Sequence, residues 1–559
     1  MANPLSTSMP QIMMLQTILE SVPPGDPDRA SCYSELATLK MDSFHRTDLD
    51  KDLQDAIRAA EQAVVETPRN SSDLAWRLRD LSNMLEEKYD RTSEVEYLDK
   101  SIEKAKESEE AGEKNVFDYT ATLFELGIKY KKRYQKLGHP EELDKAIESM
   151  ERARAAAPHG YPHLACLLTN LAAVLARRAE INDCRPDLDK AIQNDERAAT
   201  ILLRNDQQLA LTIDSWENQW QSRLKMEQAF DDNDEDNFGV QSAVQGAAAG
   251  FSELPTIYHA LGDMYEQRFK MTKTFDDLDQ AVLSRMKAVN LLPKGRHLLD
   301  LMQLSRLFES RYDLSGKIPD LSNAIRAVEQ AKEIAPEDFS QKTVLFNNLG
   351  KLLCRKFERT QTADDLEKAI RADREAVKVA SMDPMELAIA KNNLACTLHV
   401  RYQFLGESKD MEEAINHLEQ TTGPEFEADP NLPMRLSNLS QLLRSRYERF
   451  SDEKDLDIAV AIARKAVEGL SEESKAMAGR LSNLSGLIYL EFKATSSKEL
   501  PDECINLAER AAELARRQCL INPEIFGNLS QIYLGEYERS QRIDDLNEAI
   551  REAKRATNM

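Results

Sequence analysis

The sequence predicts an all-α solenoid of about twelve helix pairs, and three recurrences predict it. A small residue followed by a branched apolar one stands at Ala369-Ile370, Ala414-Ile415, Ala459-Val460, Cys504-Ile505 and Ala549-Ile550, each pair beginning 45 residues after the last. An aromatic residue keeps the same interval ahead of them, at Phe357, Tyr402, Tyr447, Phe492 and Tyr537. Further back, Asn348-Leu349, Asn393-Leu394, Asn438-Leu439, Asn483-Leu484 and Asn528-Leu529 do the same. Self-similarity at a period of about 20–50 residues marks a solenoid, which grows by addition and needs no separate domain cores.

Taken in order, residues 1–28 stand outside the repeat. Gln11 to Glu20 reads as a short amphipathic capping helix, and Pro23, Pro24 and Pro27 then break the chain. Residues 29–205 hold units one to four, 206–252 an irregular fifth unit, and 253–559 units six to twelve of one continuous solenoid. The branched residue of the small-branched pair counts the copies: Ile57, Ile102, Ile147, Ile192, Val244, Val282, Ile325, Ile370, Ile415, Val460, Ile505 and Ile550. The steps are 45 residues except for 52, 38 and 43 around Val244, a local shift inside unit five. That unit carries Trp216, Trp220 and the acidic run 231–236.

Each unit divides into two amphipathic helices. In the first, Leu439, Leu443 and Tyr447 recur every four residues and form one apolar stripe. In the second, Leu456, Ala459, Val460, Ala466 and Val467 do so. Asp52, Asp187, Asp277, Asp365, Asp410, Asp455 and Asp545 fall near the start of second helices, where a negative charge favours the positive end of the macrodipole. Pro68, Pro158, Pro293, Pro336 and Pro384 lie between one unit's second helix and the next unit's first, where they stop a helix.

Composition narrows the function classes. The chain is 42% hydrophobic and 30% charged with 19 Gly, a long helical profile with polar outer faces. A formal net charge of −24 repels phosphate backbones and anionic membrane surfaces, which argues against nucleic-acid and membrane partners. No stretch of 18 apolar residues and no signal peptide occurs. The seven cysteines are scattered without a CxxC pair, which points to a reducing, cytoplasmic setting and to no metal site or cofactor.

Within the first helices, Leu349-Gly350 with Leu353, Leu261-Gly262 with Tyr265 and Leu126-Gly127 with Tyr130 place a small residue where paired helices cross; second helices add alanines seven apart, Ala369 with Ala376 and Ala459 with Ala466. This pattern resembles the tetratricopeptide repeat, lengthened from about 34 residues. It is similar to the long arrays of fungal proteins called aromatic di-alanine repeats, in which a caspase-like CHAT peptidase domain often follows. The wording of Asn392 to Ala395 also resembles kinesin light chain repeats. The resemblance implies a right-handed superhelix whose first helices line a concave groove that holds a peptide.

The position before the first-helix Leu is the main candidate site: Asn348, Asn393, Asn438, Asn483 and Asn528. Asn is a mediocre helix former, so five in register indicate a hydrogen-bonding task. An amide offers both a donor and an acceptor and suits a peptide unit, or else each Asn bonds to the neighbouring repeat and supports stacking. A basic residue precedes the aromatic position at Lys88, Arg133, Arg178, Arg268, Arg311, Lys356, Arg401 and Arg446, as pairing for nearby acids or as a stripe for acidic peptides.

Catalysis finds little to rest on. Asp232, Asp234 and Asp236 have calcium-loop spacing, but Asn237 and Ala243 stand where the turn Gly and the bidentate Glu belong. His163 with Cys166 is the nearest approach to a dyad, inside an apolar run that suits a buried thiol. No Walker A loop, HExxH or GxSxG occurs. The expected function is a non-catalytic scaffold that binds a protein or peptide partner. The alternative is the sensor arm of a CHAT-type protease or immune-type signalling protein. The sequence reaches Met559 without a polar capping helix, which leads us to expect a longer relative or a shortened paralogue.

Overall fold

A computed structural model describes residues 8–23, 26–112, 115–204, 210, 211, 213, 253–292, 297–380, 383–471, 473–495, 500–520 and 522–558. Trp216, Trp220, Val244, Pro24, Pro293, Met559 and the acidic run with its calcium-like spacing lie outside the described residues. Among the described residues there are 23 α-helices and no strand. Two compact units divide the chain, Met1–Leu307 and Phe308–Met559.

The first unit opens with α1 (Ser8–Ser21), whose Ile12, Leu15 and Leu19 are buried. Helix pairs follow: α2 (Pro27–Thr47) with α3 (Asp50–Val65), α4 (Leu74–Thr92) with α5 (Val95–Ala111), α6 (Val116–Leu137) with α7 (Glu141–Ala156), α8 (Leu164–Asn182) with α9 (Arg185–Leu203), and α10 (Leu254–Thr272) with α11 (Phe275–Leu291). Helix α12 (Leu298–Ser315) runs across the boundary and is followed by α13 (Ile318–Ile334). The second unit continues with α14 (Lys342–Thr360) and α15 (Ala363–Val379), α16 (Pro384–Leu405) and α17 (Ser408–Glu419), α18 (Leu432–Phe450) and α19 (Glu453–Glu468), α20 (Met477–Thr495) and α21 (Asp502–Arg517), and α22 (Pro523–Ser540) and α23 (Ile543–Thr557). Among the described residues no helix is long and apolar enough to cross a membrane.

The recurring residues form the core. Every described small residue of the small-branched pair is buried, from Ala56 and Ser101 to Cys504 and Ala549. So are the Leu residues that follow the candidate asparagines, Leu349, Leu394, Leu439, Leu484 and Leu529. In the second unit Leu394, Leu439, Leu484 and Leu529, with Ala414, Ala459 and Cys504, belong to one apolar cluster that also takes in Tyr402, Leu443, Ile488 and Phe526.

Two registers explain how each pair closes. The small residue after the first-helix Leu faces the residue three after the branched one in the second helix. Where the first is Gly, the second is large. Met150 lies against Gly127, Arg285 against Gly262 and Asp373 against Gly350, each so close that a Cβ on the glycine would sit within 3 Å of it. Where the first is Ser, two outcomes occur: Ser82 Oγ donates to the Ser101 carbonyl at 2.7 Å and Ser530 Oγ to the Ala549 carbonyl at 2.8 Å in the second helix, whereas Ser440 and Ser485 donate to the Ser437 and Ser482 carbonyls of their own helices.

The turn between paired helices repeats as well. Asp48, Ser93, Lys273, Gln361, Ser451 and Gln541 adopt left-handed backbone with Gly138, Gly316 and Gly406 at the equivalent steps. Each donates its N–H to a carbonyl four residues back, on the recurring aromatic: Phe44, Tyr89, Phe269, Phe357, Tyr447, Tyr537, Tyr134, Tyr312 and Tyr402. This is an αL helix stop in which most members forgo glycine. Pro384 differs from the expected stop signal: it occupies the first turn of α16 and starts that helix, as Pro433 and Pro523 do in theirs.

The basic register is a ladder of bridges. Arg178 donates to Asp187 of its own pair at 2.7 Å and to Asp144 of the preceding pair at 2.7 Å. Arg268, Arg401 and Arg446 repeat the arrangement with Asp277 and Asp189, Asp410 and Glu367, and Asp455 and Glu412. The aspartates expected only to favour the helix dipole thus also close their own pair, and Asp144, Asp189, Glu367 and Glu412 supply the bridges to the preceding one. The stripe is neutralised within the fold.

Candidate functional site

The candidate asparagines occupy equivalent places on first helices and fare differently. Asn348 on α14 is exposed, and Asn393 on α16 is half-buried, its Oδ1 accepting from Asn392 Nδ2 at 3.4 Å. The other three reach back one repeat. Asn438 Nδ2 donates to Asn392 Oδ1 at 2.8 Å, Asn483 Nδ2 to Ser440 Oγ at 2.8 Å, and Asn528 Nδ2 to Ser482 Oγ at 2.9 Å. Each amide nitrogen therefore ties its helix to the one before. The amide oxygens of these three have no hydrogen-bond partner among the described residues.

Those three asparagines line one cavity of about 680 Å³ on the first-helix face of the second unit, across α16, α18, α20 and α22. Asn348 and Asn393 do not line it. Its walls are mostly polar and uncharged, with Ser437, Gln441 and Gln531 beside the asparagines; His399, Arg444 and Arg480 supply the cationic or basic groups, and Glu524, which is not paired with Arg480, supplies a carboxylate. His399 Nε2 lies 3.0 Å from Ser445 Oγ, and burial lowers the imidazole's pKa, which favours its neutral form. Arg444 donates to Glu448 at 2.8 Å.

The same register in the first unit is filled with charge. Two residues before the buried Leu, Arg79 pairs with Asp118 at 2.9 Å, whereas Ser437 and Ser482 stand at the equivalent places in the second unit. Lys129 contacts Asn83 and Glu86, and Lys132 reaches Glu86 and Asp90, where the second unit has Gln441, Arg444 and Ser445 in place of Asn83, Glu86 and Lys132. Ala476 replaces Asp118. Losing those cross-repeat ion pairs, with serine or alanine in place of Arg79, Lys132 and Asp118, accompanies the space that the cavity occupies.

Sequence reasoning missed three features of the site. Asn392 rather than Asn393 receives the bond from Asn438. Gly479 and Gly527 lie within α20 and α22, line the cavity, and would meet no atom within 4 Å of a Cβ. Arg480 lies beside Gly479. Glycine inside the opening turns of a predicted helix, rather than past its end, was the legible signal, since Gly costs a helix interior about 1 kcal/mol relative to Ala.

The dyad candidate resolves into packing. Cys166 Sγ lies 3.6 Å from Asn170 Nδ2, and burial with the nearby Glu253 carboxylate raises the thiol pKa, so the protonated form persists at neutral pH. His163 packs edge-on against Tyr161. No group of three His, Cys, Asp or Glu residues is placed to hold a metal ion among the described residues.

Successive antiparallel helix pairs, closed by small residues in register, define an all-α protein of the tetratricopeptide-like repeat class. No protein-family model matches the chain, and no curated protein matches it. Among solved structures it is similar to yeast Tom70, at 15% identity over 95% of this chain and 92% of that one with a TM-score of 0.33. It is similar to a putative kinesin light chain of Podosopora anserina with nearly identical TPR-like repeats, at 18% identity over 41% and 99% with a TM-score of 0.28. RapI in its apo form gives 10% over 78% and 97% with a TM-score of 0.38.

Proposed function

We propose that the protein is a non-catalytic scaffold that binds an extended peptide segment of a partner along the first-helix face of α16, α18, α20 and α22. The observation that carries this reading is the cavity lined by Asn438, Asn483 and Asn528. Each amide spends its nitrogen on the preceding repeat and leaves its oxygen unpartnered beside open space. The two tasks weighed for these residues share one side chain: the nitrogen fixes the rotamer, and the oxygen accepts a peptide N–H. A preset acceptor loses little freedom on binding, which favours affinity. Serine and glutamine between the asparagines add adaptable donors and acceptors.

The test uses the full chain against an array of random 12-residue peptides with amidated C-termini. Replacing Asn438 and Asn483 together with Ala is expected to reduce retained peptide at least tenfold. The same variant loses two neutral hydrogen bonds and about 2 kcal/mol of stability, at about 1 kcal/mol each. Undiminished retention by a variant that is still helical at the assay temperature would overturn the reading.

A further inference from the structure

Arg480 does nothing for the fold that its counterparts do. In first helices the position four before the buried Leu holds Arg77, Arg435 and Arg480. Arg77 donates to Thr67 Oγ1, and to Ser31 Oγ at 3.2 Å. Arg435 donates to the Thr421 carbonyl at 2.9 Å and to Asp429 at 2.6 Å, and stacks on the Phe426 ring at 5.1 Å. Arg480 makes no side-chain hydrogen bond or ion pair among the described residues, although its Nη1 is out of contact with solvent. Burial without a compensating anion lowers its pKa.

Its surroundings supply the room that a ligand group needs. Arg480 lines the cavity. Gly479 next to it and Gly527 on the following first helix leave open space where side chains would otherwise stand. Asn483, one turn on, is 8% exposed and has its oxygen unpartnered. The other arginine of the cavity is taken by Glu448. A guanidinium without an anion is costly to bury and is satisfied best by a planar carboxylate accepting two parallel N–H bonds.

From this we infer that the bound peptide carries an internal Asp or Glu whose carboxylate is received by Arg480 in the gap left by Gly479 and Gly527. The inference rests on the peptide-binding reading above. It concerns a side chain within the segment, so the peptide's own C-terminus plays no part. The chain's net charge of −24 opposes acidic ligands at long range, which makes a single uncompensated cation selective for where the carboxylate sits.

The experiment presents the full chain with four sets of amidated 12-residue peptides, random except for a central Glu, Gln, phosphoserine or Lys. The expected result is at least a tenfold preference for Glu over Gln, abolished in Arg480→Gln and retained in Arg480→Lys at reduced strength. Gly479→Gln, which keeps the charge and fills the gap, is expected to lower retention of the Glu set as well. Equal retention of Glu and Gln peptides by the wild-type chain overturns the inference and leaves the scaffold reading standing. Retention of phosphoserine without Glu overturns the assignment to a carboxylate. No retention in any set overturns the peptide-binding reading itself. Arg480→Gln removes no bond within the protein, and helicity measured by circular dichroism confirms that the variant is folded.

Discussion

Replacing Asp373 with Met removes a carboxyl that the fold buries at a cost. Asp373 is 0% exposed on α15, pressed against Gly350 of α14. Thr397 Oγ1 donates to its Oδ2 at 2.7 Å, while Oδ1 is buried without a partner. Burial pushes its pKa from 3.8 up to about 7, with the Thr397 bond acting weakly in the other direction. In the unfolded chain the group ionises near 3.8, so between that pH and about 7 the folded state holds a proton that the unfolded state has lost. Stability is therefore full below about pH 4 and falls as the pH rises through 7. A shift of about three units corresponds to about 4 kcal/mol. Met is the apt replacement because Met150 occupies the same register over Gly127 in the first unit and is fully buried there. Packing gains apply at every pH, so the diagnostic quantity is the change in the variant's advantage with pH. That advantage should be about 4 kcal/mol larger at pH 8 than at pH 4. Repeat arrays open locally, so the assay is amide hydrogen exchange over α14, α15 and α16, corrected for intrinsic rates. An advantage that does not change between pH 4 and pH 8 would refute the account of a buried, costly carboxyl.

Three further outcomes follow from the same registers. Asp195, at the register of Asp373 but in α9, is 1% exposed and pushed up to about 8 by burial, so Asp195→Met should show the same gain extending about one pH unit higher by hydrogen exchange over α8 and α9. Gly350→Ala sets a Cβ 2.0 Å from Asp373 Oδ1 and should cost about 1–3 kcal/mol in denaturant unfolding, yet cost little in an Asp373→Ala background; a double-mutant cycle with no coupling would exclude direct contact as the cause. Gln361→Gly relieves a left-handed backbone at φ 56° and should raise the stability of the α14–α15 pair by about 0.5–1 kcal/mol, read as a higher melting temperature.

The class of fold was legible in the sequence because a solenoid writes its contacts at a fixed interval. Leu366, Ile370, Leu394 and Phe357 each meet a neighbour displaced by one helix or one repeat, so periodicity in sequence becomes adjacency in space. The helix stops were harder to read, since Gln361, Lys273 and Ser451 take a conformation that usually advertises itself with glycine. The basic register was legible as pairing, but the second partner one repeat back, such as Asp144 for Arg178, emerges only when two pairs are stacked. The site was least legible. Five asparagines look alike in sequence, yet Asn438, Asn483 and Asn528 line one cavity and Asn348 and Asn393 lie outside it. Which of them do so depends on whether the side chains facing across repeats are long and charged, as Arg79 and Lys132 are, or short, as Ser437, Ser482 and Ser445 are at the same register. The one-dimensional pattern determined that helices pair and stack; the size and charge of side chains facing across repeats decided where the stack is left open.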